Sequence, residues 1–331
     1  MGNFTASGQT TQAILNLFLP IYVHSLLIDS VLDFDLYVYS GQDVVLYRAC
    51  HLPFTAKTQA ALLENNVCRL YVPIDKRRQY QRYIQTHIDK ILADSSVDDF
   101  TKASIVYDSA KELIKDVLGN PTLGENIKCS QAMVESTVLY VLEGQNAFRN
   151  MLRVMSFDYS VYSHSVNVCT FSLALAHAAG MDSTRELVEL GTGALLHDVG
   201  KTKVSESILN KRGPLDPPEM EVVRRHPQWG VELVRETDLI PEVSYLPIRQ
   251  HHEREDHSGY PDGVGSDEIH VFGKIVAIAD VFDAMTTERV YRSAVGTFPA
   301  LKTMHAEKDT FDRRLLEHFT RLMGPTNLIT L

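Results

Sequence analysis

Three apolar stretches of this chain run into groups that an apolar interior cannot hold unaided. ELVELGTGALL leads into His197-Asp198, KIVAIA leads into Asp280, and VSYLPI leads towards His251-His252. A buried carboxylate costs several kcal/mol unless a cation or metal neutralises it. A buried imidazole also needs a partner. Costly groups at the ends of separate helices are best explained by one partner that they share. The fold must therefore bring those ends together.

The elements around these stretches read as mainly α. SVNVCTFSLALAHAAG (165–180) is helical and ends at Gly180, a residue suited to the position just past a helix. Residues 182–200 open with Asp182-Ser183 as N-cap and close at Gly200. Pro217-Pro218 fit the first turn of a helix through EMEVVRRH, and 274–287 form a strongly apolar helix. Further upstream, 104–118 and 130–155 have helical spacing, with Gly119-Asn120-Pro121 between them. Residues 1–95 differ. FDLYVYSGQDVVLYRA reads as a hairpin turning at Ser40-Gly41-Gln42-Asp43, CRLYVP as a strand, and 56–65 and 74–94 as helices. The expected organisation is a small α+β domain (1–95), a helical linker (96–155) and an all-helical domain (156–331).

Histidine usage points the same way. Three of the thirteen (His24, His51 and His87) precede residue 150, so the chemistry lies in the C-terminal half. The net charge of −10 argues against a nucleic-acid polymer as partner. Cys50, Cys68, Cys129 and Cys169 have no CxxC spacing, which fits reduced thiols. The closest approach to a membrane span is AILNLFLPIYVHSLLIDSVL (13–32), interrupted by Pro20, His24 and Asp29. No run reaches the roughly 18 apolar residues that a span requires. The chain reads as cytoplasmic.

Imidazole and carboxylate donors suit iron, manganese, zinc, cobalt or nickel. The adjacency of His197 and Asp198 suits a carboxylate bridging two ions. Two neighbouring ions can activate water and stabilise phosphorus in an in-line displacement.

HDVGK, His226-Pro227 followed by Gly230, HHE with Asp256 and Gly259-Tyr260-Pro261, and ADVFDAMTTERVYR together resemble the HD-GYP family, HD-superfamily phosphodiesterases that open cyclic di-GMP. The resemblance covers about 150–325, with the motifs in the family's order. Residues 34–95 more loosely resemble a regulatory module found ahead of some such domains. The resemblance implies an HD-type fold and two divalent transition-metal ions, iron first and manganese second. His164, His197, Asp198 and Asp280 are expected at one ion. His226, His251, His252 and the bridging Asp198 are expected at the other. It places Asp198 and Lys201 in catalysis, and Lys201, Tyr260, Arg289 and Arg292 on the substrate, cyclic di-GMP. Hydrolysis to pGpG, and onward to GMP, is the implied reaction. A homodimer or signalling-protein partners through the N-terminal domain remain open.

Three positions depart from the family pattern. Ser160 stands where some members carry a glutamate for a third metal, so two metals are expected. His257 stands where glycine is usual, and Val290 where proline is frequent. The rival readings are a metal-containing cyclic di-GMP receptor without turnover and an HD-type di-iron oxygenase. Asp283, one turn from Asp280, is expected to support the ligands rather than join them.

Overall fold

The computed structural model describes residues 14–41, 43–122, 124–142, 145–155, 160–288, 294–307 and 309–324. Two compact units divide between Ser109 and Ala110.

In the N-terminal unit, β1 (Phe18–Tyr22), β3 (Leu36–Tyr39), β4 (Val44–Arg48) and β6 (Arg69–Pro73) form an antiparallel sheet in the order β1-β6-β3-β4. The short strands β2 (Ser30–Val31) and β5 (Pro53–Phe54) pair separately. The β3–β4 hairpin turns where the sequence places it. Ser40 N–H donates to the Asp43 carbonyl at 2.9 Å, and Gly41 adopts a φ of +89°. β1 and β2 lie within 13–32, the stretch nearest to a membrane span by composition. Pro20 takes an edge-strand place there, which proline tolerates. No described helix is long and apolar enough to cross a membrane.

Two helices, α1 (Ala56–Glu64) and α2 (Arg77–Ala93), complete the unit's regular structure before α3 (Asp99–Gly119), which straddles the division. α2 buries Tyr80, Tyr83, Ile84, Ile88 and Ile91 along one face. Phe34 packs edge-on against Tyr80 and Tyr83, and the Tyr80 hydroxyl donates to Ser25 Oγ at 2.9 Å.

The C-terminal unit is helical: α4 (Gly124–Leu142), α5 (Gln145–Val154), α6 (Val161–Ala178), α7 (Thr184–Leu196), α8 (Glu206–Leu209), α9 (Pro217–Arg224), α10 (His226–Arg235), α11 (Tyr245–Gln250), α12 (Val271–Thr286), α13 (Thr297–Ala306) and α14 (Arg313–Leu322). Local chemistry sets the ends. Ser160 and Ser163 form a capping box that starts α6. Asp216 and Glu219 form another at α9, followed by Pro217-Pro218. α7 ends at Leu196 rather than Gly200. From Val199 to Lys203 the chain tightens into a 3₁₀ turn, because Gly200 lies against the backbone of α10. A Cβ there would stand 1.9 Å from the His226 carbonyl oxygen. Gly193 does the same for α7 and α11, where a Cβ would meet Pro247 Cγ at 2.2 Å. Behind these contacts Phe171, Phe282 and Phe319 join α6, α12 and α14, with centroids 4.9–5.8 Å apart.

Candidate metal centre

Of the three places that the sequence marked as helix ends, His197-Asp198 and His251-His252 do follow helix ends, whereas Asp280 sits inside a helix that runs on to Thr286; the groups converge all the same. His164 comes from the first turn of α6, His197 and Asp198 from the end of α7, and His226 from the start of α10. His251 and His252 follow α11, and Asp280 lies in α12. His197, His226 and His251 are fully buried, and Asp198 and His164 nearly so.

Four of the imidazoles are oriented alike. His197 Nδ1–H donates to the Ala194 carbonyl at 2.8 Å, and His226 Nδ1–H to the Val223 carbonyl at 2.8 Å. His251 Nδ1–H is shared between the Pro247 and Ile248 carbonyls at 3.0 Å. His164 Nδ1–H donates to Asp283 Oδ2 at 2.7 Å. With its proton committed to Nδ1, a neutral ring presents an Nε2 lone pair. All four Nε2 atoms face Asp198, and those of His164 and His197 face Asp280 as well.

Asp198 divides them into two sets. Its Oδ2 lies 3.7 Å from His164 Nε2 and 3.5 Å from His197 Nε2. Its Oδ1 lies 3.3 Å from His226 Nε2 and 3.9 Å from His251 Nε2. Asp280 Oδ1 closes the first set, 3.1 Å from His164 Nε2. Its Oδ2 reaches towards His252 Nδ1 at 3.9 Å. Donor atoms of His164, His197 and Asp280 lie within 4.8 Å of one another, as do those of His226, His251 and His252.

These residues fit a pair of cations. His226 Nε2 and His251 Nε2 approach to 3.1 Å, yet both Nδ1 protons are spent on carbonyls, so two lone pairs face each other. Among the described residues, His197 Nε2 and Asp198 Oδ1 are buried without a hydrogen-bond partner. An unsatisfied buried polar group costs about 1–3 kcal/mol. Cations between the sets would remove each of these penalties.

The electrostatics agree. Burial alone would raise the Asp198 carboxyl, but Lys201 and the imidazoles hold it well below the usual carboxylate range. Burial is likewise outweighed at Asp280 by His164 and its neighbours, leaving that carboxyl well below its ordinary value. Burial depresses His197, and depresses His251 and His252 further. At His164 burial is overcome by Asp280 and Asp283, and the imidazole is pushed up to about 10. Lys201 Nζ sits 2.5 Å from Asp198 Oδ2 with its side chain 23% exposed, facing both the centre and solvent.

Supporting residues surround these groups. Asp283 accepts from His164, from Asn167 Nδ2 at 2.8 Å and from Thr287 Oγ1 at 3.1 Å. Sequence reasoning missed Asn167, although its place three residues after His164 on one helix face was a usable signal. It also gave no role to the acid of HHE. Glu253 is buried and accepts the backbone N–H groups of Asp262, Gly263 and Val264 at 2.7–3.2 Å, clamping the Gly-Tyr-Pro loop. Arg249 binds Asp262 through two hydrogen bonds from outside. Arg254 donates to the carbonyls of His251 and Glu253 and so fixes the double-histidine turn.

Within that loop Tyr260 stacks on His252, with centroids 4.6 Å apart and planes 24° apart. His257 has a φ of +64°, the left-handed region that glycine favours. Its exposed ring lies over Gly265, where a Cβ would come within 2.4 Å, and its Nδ1 is 3.2 Å from the Gly263 carbonyl. It adds a contact inside the loop. Ser160 spends its hydroxyl on capping α6. His177 pairs with Asp182, His305 with Thr320, and His270 caps α12. Arg289, Val290 and Arg292 lie outside the described residues.

A family profile for the HD domain matches residues 151–315. The chain is 31% identical over 230 residues to the cyclic di-GMP phosphodiesterase PA4108 of Pseudomonas aeruginosa, covering 69% of this chain and 55% of that protein. It is 37% identical over 155 residues to the cyclic di-GMP phosphodiesterase response regulator RpfG of Xanthomonas campestris, covering 44% of this chain and 41% of that protein. The chain thus spans about half the length of these curated relatives. Among solved structures, Bd1817, a HDG"Y"P protein from Bdellovibrio bacteriovorus, has the same fold. The TM-score is 0.64 at 22% identity, covering 92% of this chain and 99% of that one.

Proposed function

Since residues 151–315 belong to the HD-domain family, we propose that the protein is a binuclear-metal phosphodiesterase that hydrolyses cyclic di-GMP to pGpG in second-messenger signalling. The observation that carries the reading is the division of Asp198, one oxygen towards each set of histidines. His164, His197, Asp198 and Asp280 would hold one divalent ion, and His226, His251, His252 and Asp198 the other. The nitrogen and oxygen donors suit several divalent transition metals; iron, with manganese as the alternative, is what the family resemblance implies. When bound, such a pair supplies Lewis acidity towards phosphoryl oxygens and lowers the pKa of the attacking water.

The chain's own residues do the rest. Asp283 and the backbone carbonyls hold the imidazoles in the ligating tautomer. Lys201 brings a fixed cation to the centre, where developing charge on the phosphate is stabilised. Tyr260 covers His252 on the side of the Gly-Tyr-Pro loop. Arg289 and Arg292 retain the phosphate- and base-contacting roles that the family resemblance gives them. The N-terminal unit is proposed as a regulatory module. The position of His257 supports turnover over a receptor without it, since its ring packs within the loop against Gly265.

The test is metal analysis with product chromatography on protein loaded anaerobically with iron or manganese. Wild type should carry two ions and yield pGpG, whereas Asp198→Ala should lose both ions and turnover together. Wild type that carries two ions yet leaves cyclic di-GMP intact would reject the reading.

A further inference from the structure

Arg224 has no place in the metal centre or its supports, yet its surroundings are specific. It ends α9, two residues before His226, and is exposed. Its guanidinium carbon lies 5.3 Å from the centroid of the Tyr260 ring, within the range of a cation–π contact. Tyr260 in turn lies on His252, so guanidinium, phenol and imidazole are in serial contact beside the second histidine set. Among the described residues, Arg224 makes no ion pair and no side-chain hydrogen bond. In a chain with 42 acidic and 32 basic residues, an arginine without a carboxylate partner is not explained by surface charge pairing. A favourable place at a helix C-terminus explains the charge but not the seat on Tyr260.

The substrate class of the proposed reaction supplies what is missing. A cyclic dinucleotide has two phosphodiesters on opposite sides of its ring. With the one to be cleaved at the metal centre, the other would lie beside that centre and keep its full charge. A guanidinium whose face is held on an aromatic ring keeps its N–H edge free and pre-oriented, and that edge matches two phosphate oxygens. We infer that Arg224, seated on Tyr260, is a substrate-binding residue for the second phosphodiester and selects cyclic dinucleotides over simple diesters. This rests on the proposed function above, because it needs a substrate with two phosphates.

The test compares cyclic di-GMP with bis(p-nitrophenyl) phosphate, which has one diester, on the metal-loaded full chain. Arg224→Ala should raise KM for cyclic di-GMP about 10- to 100-fold, the loss expected for charge-assisted hydrogen bonds. Its preference for cyclic di-GMP over the single diester, as a ratio of kcat/KM, should fall by at least about 10-fold. Arg224→Lys should recover part of the loss. Arg225→Ala removes the same charge one residue away, from a guanidinium seated on Trp229 instead, and should change the ratio far less. Where wild type binds cyclic di-GMP without cleaving it, the dissociation constant from calorimetry replaces KM.

Equal effects of Arg224→Ala and Arg225→Ala, or an unchanged KM in Arg224→Ala, would overturn the role of Arg224 while leaving the phosphodiesterase reading standing. Metal-loaded wild type that neither binds nor cleaves cyclic di-GMP would overturn both.

Discussion

At the scale of the residue, the centre depends on groups that touch no substrate. Asp283 accepts the Nδ1 proton of His164 and is itself held by Asn167 and Thr287. Replacing it with asparagine keeps the shape but removes the charge that orients and enriches the imidazole. Asp283→Asn should bind metal about 10- to 100-fold more weakly while melting as a folded protein, as competition against a graded chelator will read. The sequence placed Asp283 beside the ligands because it lies one turn from Asp280. The clamp made by Glu253 was not legible, since its three partners are backbone N–H groups 9–11 residues away and backbone donors leave no mark in composition. Arg224 was equally silent, because its meaning comes from Tyr260, a residue far along the chain.

At the scale of the element, two close backbone approaches deliver the ligands. Gly200 lets the turn after α7 rest on the start of α10, which brings Asp198 to His226. A methyl group there meets backbone rather than a flexible side chain, so the elements must separate. Gly200→Ala should cost about 3 kcal/mol and lower metal content, seen together in a thermal melt and in metal analysis. Helix caps were readable in advance at Gly180, Ser183 and Pro217-Pro218 because capping is local chemistry. The end of α7 was misplaced by four residues for the opposite reason. Nothing within 182–200 reports that α10 will press on Gly200.

At the scale of the whole molecule, the metal-free centre sets the response to pH. His197, His251 and His252 are depressed below the ordinary histidine value of 6.5 by burial. As pH falls below 6.5 the unfolded chain takes up protons that the folded chain resists, so stability drops. His164 acts oppositely. Its contribution is complete below 6.5 and is lost as pH rises through about 10. Asp198 and Asp280, depressed in the fold, contribute above the ordinary carboxyl value of 3.8 and lose that contribution as pH falls through their folded values. The melting temperature of chelator-treated protein should therefore peak near neutral pH and decline on both sides. Restoring metal at about 100 times its dissociation constant should add about 2.7 kcal/mol at neutral pH. Because ligation needs the Nε2 lone pair of His164, metal uptake at pH 8 should release protons. Calorimetry in two buffers of different ionisation enthalpy measures the number, and a heat independent of buffer would contradict this charge assignment.

The sequence by itself determined the kind of chemistry. Carboxylates and imidazoles set in apolar helices are costly to bury without a partner, and that constraint can be read from neighbours along the chain. Periodicity and caps likewise determined most of the helices, because both act over a few residues. Only the tertiary structure decided which oxygen of Asp198 serves which histidines, which nitrogen of each ring stays free, and where Arg224 finds its ring. Those outcomes depend on angles between elements, which are fixed by packing between residues distant in sequence.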